Sequence, residues 1–258
     1  MPKITCSAAT DLGKVRDSNE DNFYVNGKFK EYSETPHERF FDDREREQYL
    51  YAVYDGMGGE QYGRLASLIA VKTLVEYQSA DFRKAVNDYV KKANKLICDE
   101  IEKNNGVRIG TTIAIVHIKD GNAVSCNIGD SRVYLFRNNR LIQLSEDHTQ
   151  AQRLVKMGII KKDAARSHKD RHKLTQHLGI FPDEFIIQLH ISKDVAVKQS
   201  DIFLLCSDGL TDMVSDEIIT EILSSAETDT TDLAGKLVKT ALENGGKDNI
   251  TAVVVKIN

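Results

Sequence analysis

Residues Leu50–Gly63 read LYAVYDGMGGEQYG. An apolar run ends on a carboxylate, Asp55, and Gly56, Gly58 and Gly59 fall within the next four residues. A strand this apolar belongs inside a sheet, so an acid at its tip sits where the core ends. The glycines strip side chains from that tip and permit dihedrals that other residues avoid. Asp-Gly is also a common turn dipeptide, and one such junction alone is more often a turn than a ligand site.

The junction recurs. SCNIGDSR places Asp130 after Gly129, LLCSDG places Asp208 before Gly209, and GGKDNITAVVV places Asp248 just ahead of a final β-rich run. Acids at the ends of several buried strands can converge at one edge of a sandwich. Converging carboxylates repel and raise one another's pKa values, and a hard divalent cation removes that repulsion. An oxygen-only set without His or Cys suits Mg²⁺ or Mn²⁺ more than Zn²⁺. VRDSNEDNF, residues 15–23, adds Arg16, Glu20 and Asp21 ahead of another strand. An arginine beside acids is either a structural ion pair or a planar fork for a phosphate dianion. Beside two cations about 3.5–4 Å apart, the fork points to phosphoryl chemistry.

The surrounding pattern supplies a frame. Short β-type runs fall at Ile4–Ala9, Asn22–Val25 and Leu50–Tyr54. Lys28–Gln48 is too polar for a core strand and reads as a solvated surface excursion, with a docking or regulatory loop as the alternative. Leu68, Val71 and Val75 predict a helix over Arg64–Tyr77, and the stripe from Phe82 through Tyr89, Ala93 and Ile97 to Ile101 predicts another. Residues 111–118, 123–129, 132–136 and 141–144 are β-rich and separated by KDGN and RNNR, which predicts antiparallel hairpins. A helical segment over Thr149–His168 precedes expected strands FIIQLHI (185–191) and DIFLLCS (201–207). One helix starts after Ser215, another spans Thr231–Asn244 and stops at Gly245-Gly246, and Thr251–Ile257 is the last strand. Hairpins, a helix pair, more hairpins and a second helix pair predict an α+β fold with antiparallel sheets covered by helices.

The 258 residues contain no linker or repeat and read as one domain over 1–258. A net charge of −4 without a run of basic residues gives no expectation of nucleic-acid or membrane binding. Cys6, Cys98, Cys126 and Cys206 are far apart and read as reduced thiols. With no signal-like start and no apolar run near about 18 residues, a cytoplasmic protein is expected.

Read in order, RDSNED, YDGMGG, GTT, NIGDSRVY, DHT, LLCSDGLTD and GGKDNIT resemble the bacterial branch of the metal-dependent protein phosphatases of type 2C, from Arg16 to Thr251. The resemblance implies a four-layer αββα sandwich of two antiparallel sheets flanked by helix pairs. It implies a binuclear Mn²⁺ or Mg²⁺ site at which a metal-bridging hydroxide attacks phosphoserine or phosphothreonine directly, in line. On matching positions, Asp55 bridges both ions and Asp208 and Asp248 hold the first. The Gly56 carbonyl and Glu20 serve the second. Asp130, with Asp208, matches a weaker third site, and Arg16 holds the substrate phosphate. Implied partners are phosphorylated Ser/Thr proteins, a Ser/Thr kinase among them, met by a monomer.

Some positions depart from the pattern. Met57 stands where many eukaryotic members carry a histidine proposed to protonate the leaving group, so the general acid is unassigned. His148 and His177 lie in or near the motifs, but a lone histidine is usually structural. Residues 149–182 correspond to the family's mobile flap, in which Gln176 replaces an expected arginine, and Arg64 stands where an acid is usual. Two other readings stay open. A phosphoprotein-binding module of the same fold would have signalled itself by a lost ligand residue. A nucleotide hydrolase is suggested by DGMGG but lacks the acidic helix and glycine-rich lid it needs.

Overall fold

The computed structural model describes residues 3–31, 37–59, 61–76, 81–225 and 232–258. The chain begins with β1 (Ile4–Asp11), β2 (Asn22–Val25), β3 (Lys28–Phe29), β4 (His37–Asp42), β5 (Gln48–Tyr54) and the short β6 (Gly56–Met57). Helices α1 (Gln61–Val75) and α2 (Phe82–Lys103) follow, then β7 (Gly110–Thr111), β8 (Ile113–Lys119), β9 (Asn122–Ile128), β10 (Arg132–Arg137) and β11 (Arg140–Gln143). Next come α3 (Gln150–Lys156), α4 (Lys162–Ala165), β12 (His190–Ile191), β13 (Val195–Ala196) and β14 (Ile202–Cys206). Helices α5 (Asp208–Thr211), α6 (Asp216–Ser224) and α7 (Leu233–Glu243) lead into β15 (Ile250–Ile257).

One sheet runs β11-β10-β14-β15-β1-β4, the other β12-β9-β8-β5-β2-β3 with β13 beside β9. The paired strands within both are antiparallel. Side-chain alternation builds the layers. On β15, Val253, Val255 and Ile257 face the core between the sheets, while Ile250, Ala252 and Val254 face α6 and α7. On β5, Tyr51 and Val53 enter the same central core, while Ala52 and Tyr54 pack against α1 and α2. The result is the expected four-layer αββα sandwich, held by three apolar cores. Among the described residues, no helix is long and apolar enough to cross a membrane.

The sequence reading needs three corrections. Lys28–Gln48 is not simply a solvated excursion: it carries β3 and β4, and β4 pairs with β1 from Cys6↔Asp42 to Asp11↔His37. An edge strand joins through its backbone and tolerates charges on its open side, so polarity did not forbid pairing. The expected helix over Thr149–His168 is broken into α3 and α4, with Gly158 at φ +70° ending the first. Of FIIQLHI, only His190–Ile191 pairs, and Phe185 and Ile186 are 52% and 78% exposed. The Gln188 amide donates to Gln176 Oε1 at 3.0 Å instead of to a neighbouring strand. The predicted helix limits at Tyr77 and Thr231 lie outside the described residues. All four cysteines are buried and free.

Candidate metal centre

Strand parity aims the acids. Val53 and Phe23 face the inter-sheet core, so Asp55, two residues after one, and Asp21, two before the other, continue those rows to the sandwich rim. Asn22 pairs with Tyr54, which brings the two acids to the same level. The carbonyl of Asp55 accepts from Thr112 N and Thr111 Oγ1, both at 2.9 Å, and its N–H donates to Thr112 Oγ1 at 3.1 Å. The GTT motif thus fixes the backbone that carries Asp55.

Arg16, Glu20, Asp55, Gly56, Asp130, Asp208 and Asp248, the whole set read from the sequence, line one cavity of about 660 Å³. Burial pushes the Asp55 carboxyl well above the ordinary range, and Asp21, Asp208, Asp130 and Asp248 push it the same way. Burial likewise raises Asp130, reinforced by Asp208 and Asp147. These acids line the cavity from separate parts of the chain. The tight trio of potential ligand atoms among the described residues is another one, His172, Asp208 and Asp212, all within 4.8 Å of one another.

Arg16 forks onto Asp248, with Nε to Oδ1 at 2.8 Å and Nη2 to Oδ2 at 2.7 Å. Asn249 staples the loop that carries Arg16 and Glu20. Its Oδ1 accepts from Glu20 N at 2.8 Å, and its Nδ2 donates to the carbonyls of Leu12 and Ser18, both at 2.9 Å. Beneath them, Asp21 Oδ2 accepts from Ser207 Oγ and Thr251 Oγ1, both at 2.7 Å. Burial pushes the Asp21 carboxyl up, while those bonds and the buried Lys30 ammonium act against it. Lys30 Nζ donates to the Asn19 carbonyl at 3.0 Å, tying the 28–48 region to the same turn.

The glycines make room mainly for the chain itself. A Cβ on Gly56 would stand 2.2 Å from the Gly63 carbonyl oxygen and 2.6 Å from that of Glu20. A Cβ on Gly63 would stand 1.7 Å from Glu20 Oε2, the far end of a flexible side chain, and 2.9 Å from the Gly56 carbonyl carbon, a backbone atom. Gly63 lies inside α1, where alanine is the better helix former by about 1 kcal/mol. Gly63→Ala is therefore expected to displace the Glu20 carboxylate, with a small backbone shift at Gly56, rather than unfold the protein. Divalent-ion affinity should fall about tenfold, with Tm changed by no more than about 3 °C. Calorimetric titration with Mn²⁺ and a melting curve check both halves.

Sequence reasoning missed several residues. Asp212 lies four residues after Asp208, at the C-cap of the short helix α5, which was not anticipated, and that spacing was the available signal. Arg171 and His172 reach the cavity from the irregular segment after α4, for which no periodic pattern existed. Contact with Asp208 raises the His172 pKa, against the lowering by burial. His148 does not line the cavity: its Nδ1 accepts from Gly129 N at 3.1 Å and steadies the turn before Asp130. Met57 and His177 do line it, His177 with Nδ1 at 2.9 Å from the Leu178 carbonyl.

The residues present fit divalent cations. Carboxylates converge on one cavity, burial opposes the charge of Asp55 and Asp130, and Asp21 Oδ1 is buried without a hydrogen-bond partner.

The family model described as Protein phosphatase 2C matches residues 27–244. The serine/threonine phosphatase stp of Listeria monocytogenes is 32% identical, over 96% of this chain and 93% of its own length. The crystal structure of the Mycobacterium tuberculosis serine/threonine phosphatase PstP/Ppp, 31% identical, superposes with a TM-score of 0.80 over 99% of both chains. A catalytic domain of PstP described as a complex with 2 manganese ions, 30% identical, gives 0.77 over 98% of this chain and 99% of that one. In sequence and in fold, the chain belongs to the protein phosphatase 2C family.

Proposed function

We propose that this protein is a metal-dependent serine/threonine protein phosphatase whose centre takes two Mn²⁺ or Mg²⁺ ions. The observation that carries the reading is the convergence of Asp55, Asp130, Asp208, Asp248 and Glu20, from separate parts of the chain, on one cavity, where neighbouring acids and desolvation push the half-buried Asp55 carboxyl up. A bound cation would offset both the desolvation and the repulsion that disfavour its charged form. The names of the relatives and the manganese complex of a neighbour support the same reading.

In this reading Asp55, Asp208 and Asp248 would hold one ion, and Asp55, Glu20 and the Gly56 carbonyl the other. Asp130, with Asp208, would hold a weaker third ion. The bound ions supply an activated water and neutralise charge on the phosphate. Arg16 then has two claims on its fork, Asp248 and the substrate phosphate. Its half-exposed position at the cavity mouth lets it exchange one for the other. Phosphate transfer to water needs no nucleophile from the chain. Substrates are proteins carrying phosphoserine or phosphothreonine, a Ser/Thr kinase among them, met by a cytoplasmic monomer. The chain acts as one domain in which residues 149–182 form a flap.

The test is hydrolysis of p-nitrophenyl phosphate and of a phosphothreonine peptide with Mn²⁺. Turnover should be lost with EDTA and with Asp208→Ala. Arg16→Lys should raise the peptide KM about tenfold, because an ammonium cannot make two parallel bonds. Turnover indifferent to EDTA and to Asp208→Ala overturns the reading.

A further inference from the structure

Two short stretches of chain meet at the rim of the metal-centre cavity. A Cβ on Gly13 would stand 2.2 Å from the Asp248 carbonyl oxygen and 2.8 Å from that of Gly246, so a glycine is needed for residues 13–16 to lie this close to residues 246–248. Lys14 N donates to the Gly246 carbonyl at 2.7 Å, and the Arg16 fork on Asp248 closes the other end of the seam. Gly246 in turn makes room for the Lys14 stem: a Cβ there would stand 3.4 Å from Lys14 Cγ. Lys14 and Lys247 are both exposed, and Lys247 lines the cavity together with Arg16. Among the described residues neither ammonium is in an ion pair, in contrast to Arg16. Val15, between Lys14 and Arg16, is 66% exposed, so this strip of the rim is open. Asp11 Oδ1 is taken up by the Gly13 N–H at 2.9 Å, and the exposed acid of the segment, Asp17, follows Arg16 in the chain rather than separating the basic residues.

We propose that Lys14 and Lys247 are specificity-determining residues that read an anionic side chain, a carboxylate or a second phosphate, next to the phosphorylated residue of the substrate. The proposal rests on the reading of the cavity as a phosphatase centre with Arg16 on the substrate phosphate. Lys14 is two residues from Arg16, and Lys247 is next to Asp248, the acid that Arg16 grips. The two ammoniums therefore flank the phosphate fork, on stems long enough to reach a substrate residue whose Cα is about 3.8 Å along the chain from the phosphorylated one. An ammonium on a flexible stem reads charge rather than shape, so any anion at that place is favoured. A basic substrate side chain would meet like charge there and be disfavoured. Because both lysines are exposed, each contact is modest and is screened by salt. Arg16 thus fixes the phosphate in two-point fashion, and the lysines rank the sequences that carry it.

Phosphothreonine peptides that differ only in the residues on either side of the phosphothreonine test this with the full-length protein at saturating Mn²⁺. The flanking residues are alanine, glutamate, phosphoserine or lysine, and phosphate loss from the threonine is followed by mass spectrometry. In the wild type the glutamate peptide should have a KM about three- to tenfold below that of the alanine peptide, and the lysine peptide a KM above it, with kcat changed less. The gap should close as salt is raised to about 0.5 M. Lys14→Ser and Lys247→Ser should each bring the glutamate-to-alanine KM ratio towards one, and Lys247→Glu should invert it in favour of the lysine peptide. The alanine peptide is the reference within each variant, so a general loss of activity does not mimic the effect. A preference for phosphoserine without one for glutamate supports the proposal and assigns a second phosphate, and a preference for both supports it and assigns either anion. A wild type without preference, or ratios unmoved in both serine variants and in Lys247→Glu, overturns the specificity role alone. A wild type that hydrolyses none of the peptides overturns it together with the reading of the centre.

Discussion

Asp55→Asn is expected to lower turnover by about a thousandfold or more while making the metal-free protein more stable. The two effects share one cause. Asp55 sits at the end of a buried strand with carboxylates from four other places pressing on it, so its folded-state pKa lies well above that of the unfolded chain. The folded protein therefore holds the Asp55 proton where the unfolded chain has released it. Its contribution to stability is lost as pH rises from about 4 through the raised value. Asparagine cannot ionise and escapes that loss. Relief of about 1 kcal/mol would raise the Tm of the metal-free variant by about 2–4 °C at pH 8, with a smaller gap at pH 5. Melting curves in EDTA at the two pH values, beside phosphatase assays in Mn²⁺, measure both effects. A variant less stable than the wild type at pH 8 without metal would remove the electrostatic account of the centre, even if activity were lost.

That account was legible in the sequence because its parts obey strand rules. Apolar runs ending on Asp55, Asp130 and Asp208, and the run that starts after Asp248, fix where each carboxylate sits, and two-residue periodicity fixes which way Asp55 points. His172 was not legible, because it lies on a segment without periodicity and acquires its meaning only from acids far along the chain. Lys30 was misjudged for a related reason. Its region reads as solvated, yet the side chain is 2% exposed and bonded to the Asn19 carbonyl, a partner that only tertiary structure supplies. FIIQLHI failed in the opposite direction. Its composition is that of a strand, but the Gln176 side chain takes the Gln188 amide and the ladder stops at two residues. Composition states what a segment tolerates; the neighbour decides what it becomes. The glycines of the opening stretch show the same limit, since a need for space is visible in sequence whereas its occupant, the Glu20 side chain, is not.

The raised carboxyls also dictate how metal binding should depend on pH. A cation binds the ionised form, so any proton still held by Asp55 or Asp130 must leave when it arrives. Below the raised values, apparent Mn²⁺ affinity should fall about tenfold per pH unit for each proton displaced, whereas ordinary carboxylates near pKa 4 would leave it flat from pH 5 to 7.5. At pH 7.5 and about a hundred times the dissociation constant, Mn²⁺ should add about 2.7 kcal/mol of stability, or about 5–10 °C in Tm, and EDTA should remove it. At pH 5 the same concentration should add little. Titration calorimetry in buffers of different ionisation enthalpy counts the protons released per ion directly. A release near zero with pH-independent affinity would mean that the acids around Asp55 are ionised before any metal arrives, and that their repulsion is relieved by the chain itself, through Arg16 and Lys30. The Arg16 fork on Asp248 makes that a definite alternative, and it separates by mutation: Arg16→Lys would then raise proton release, whereas in the reading advanced here it leaves proton release unchanged and alters the KM for the phosphopeptide.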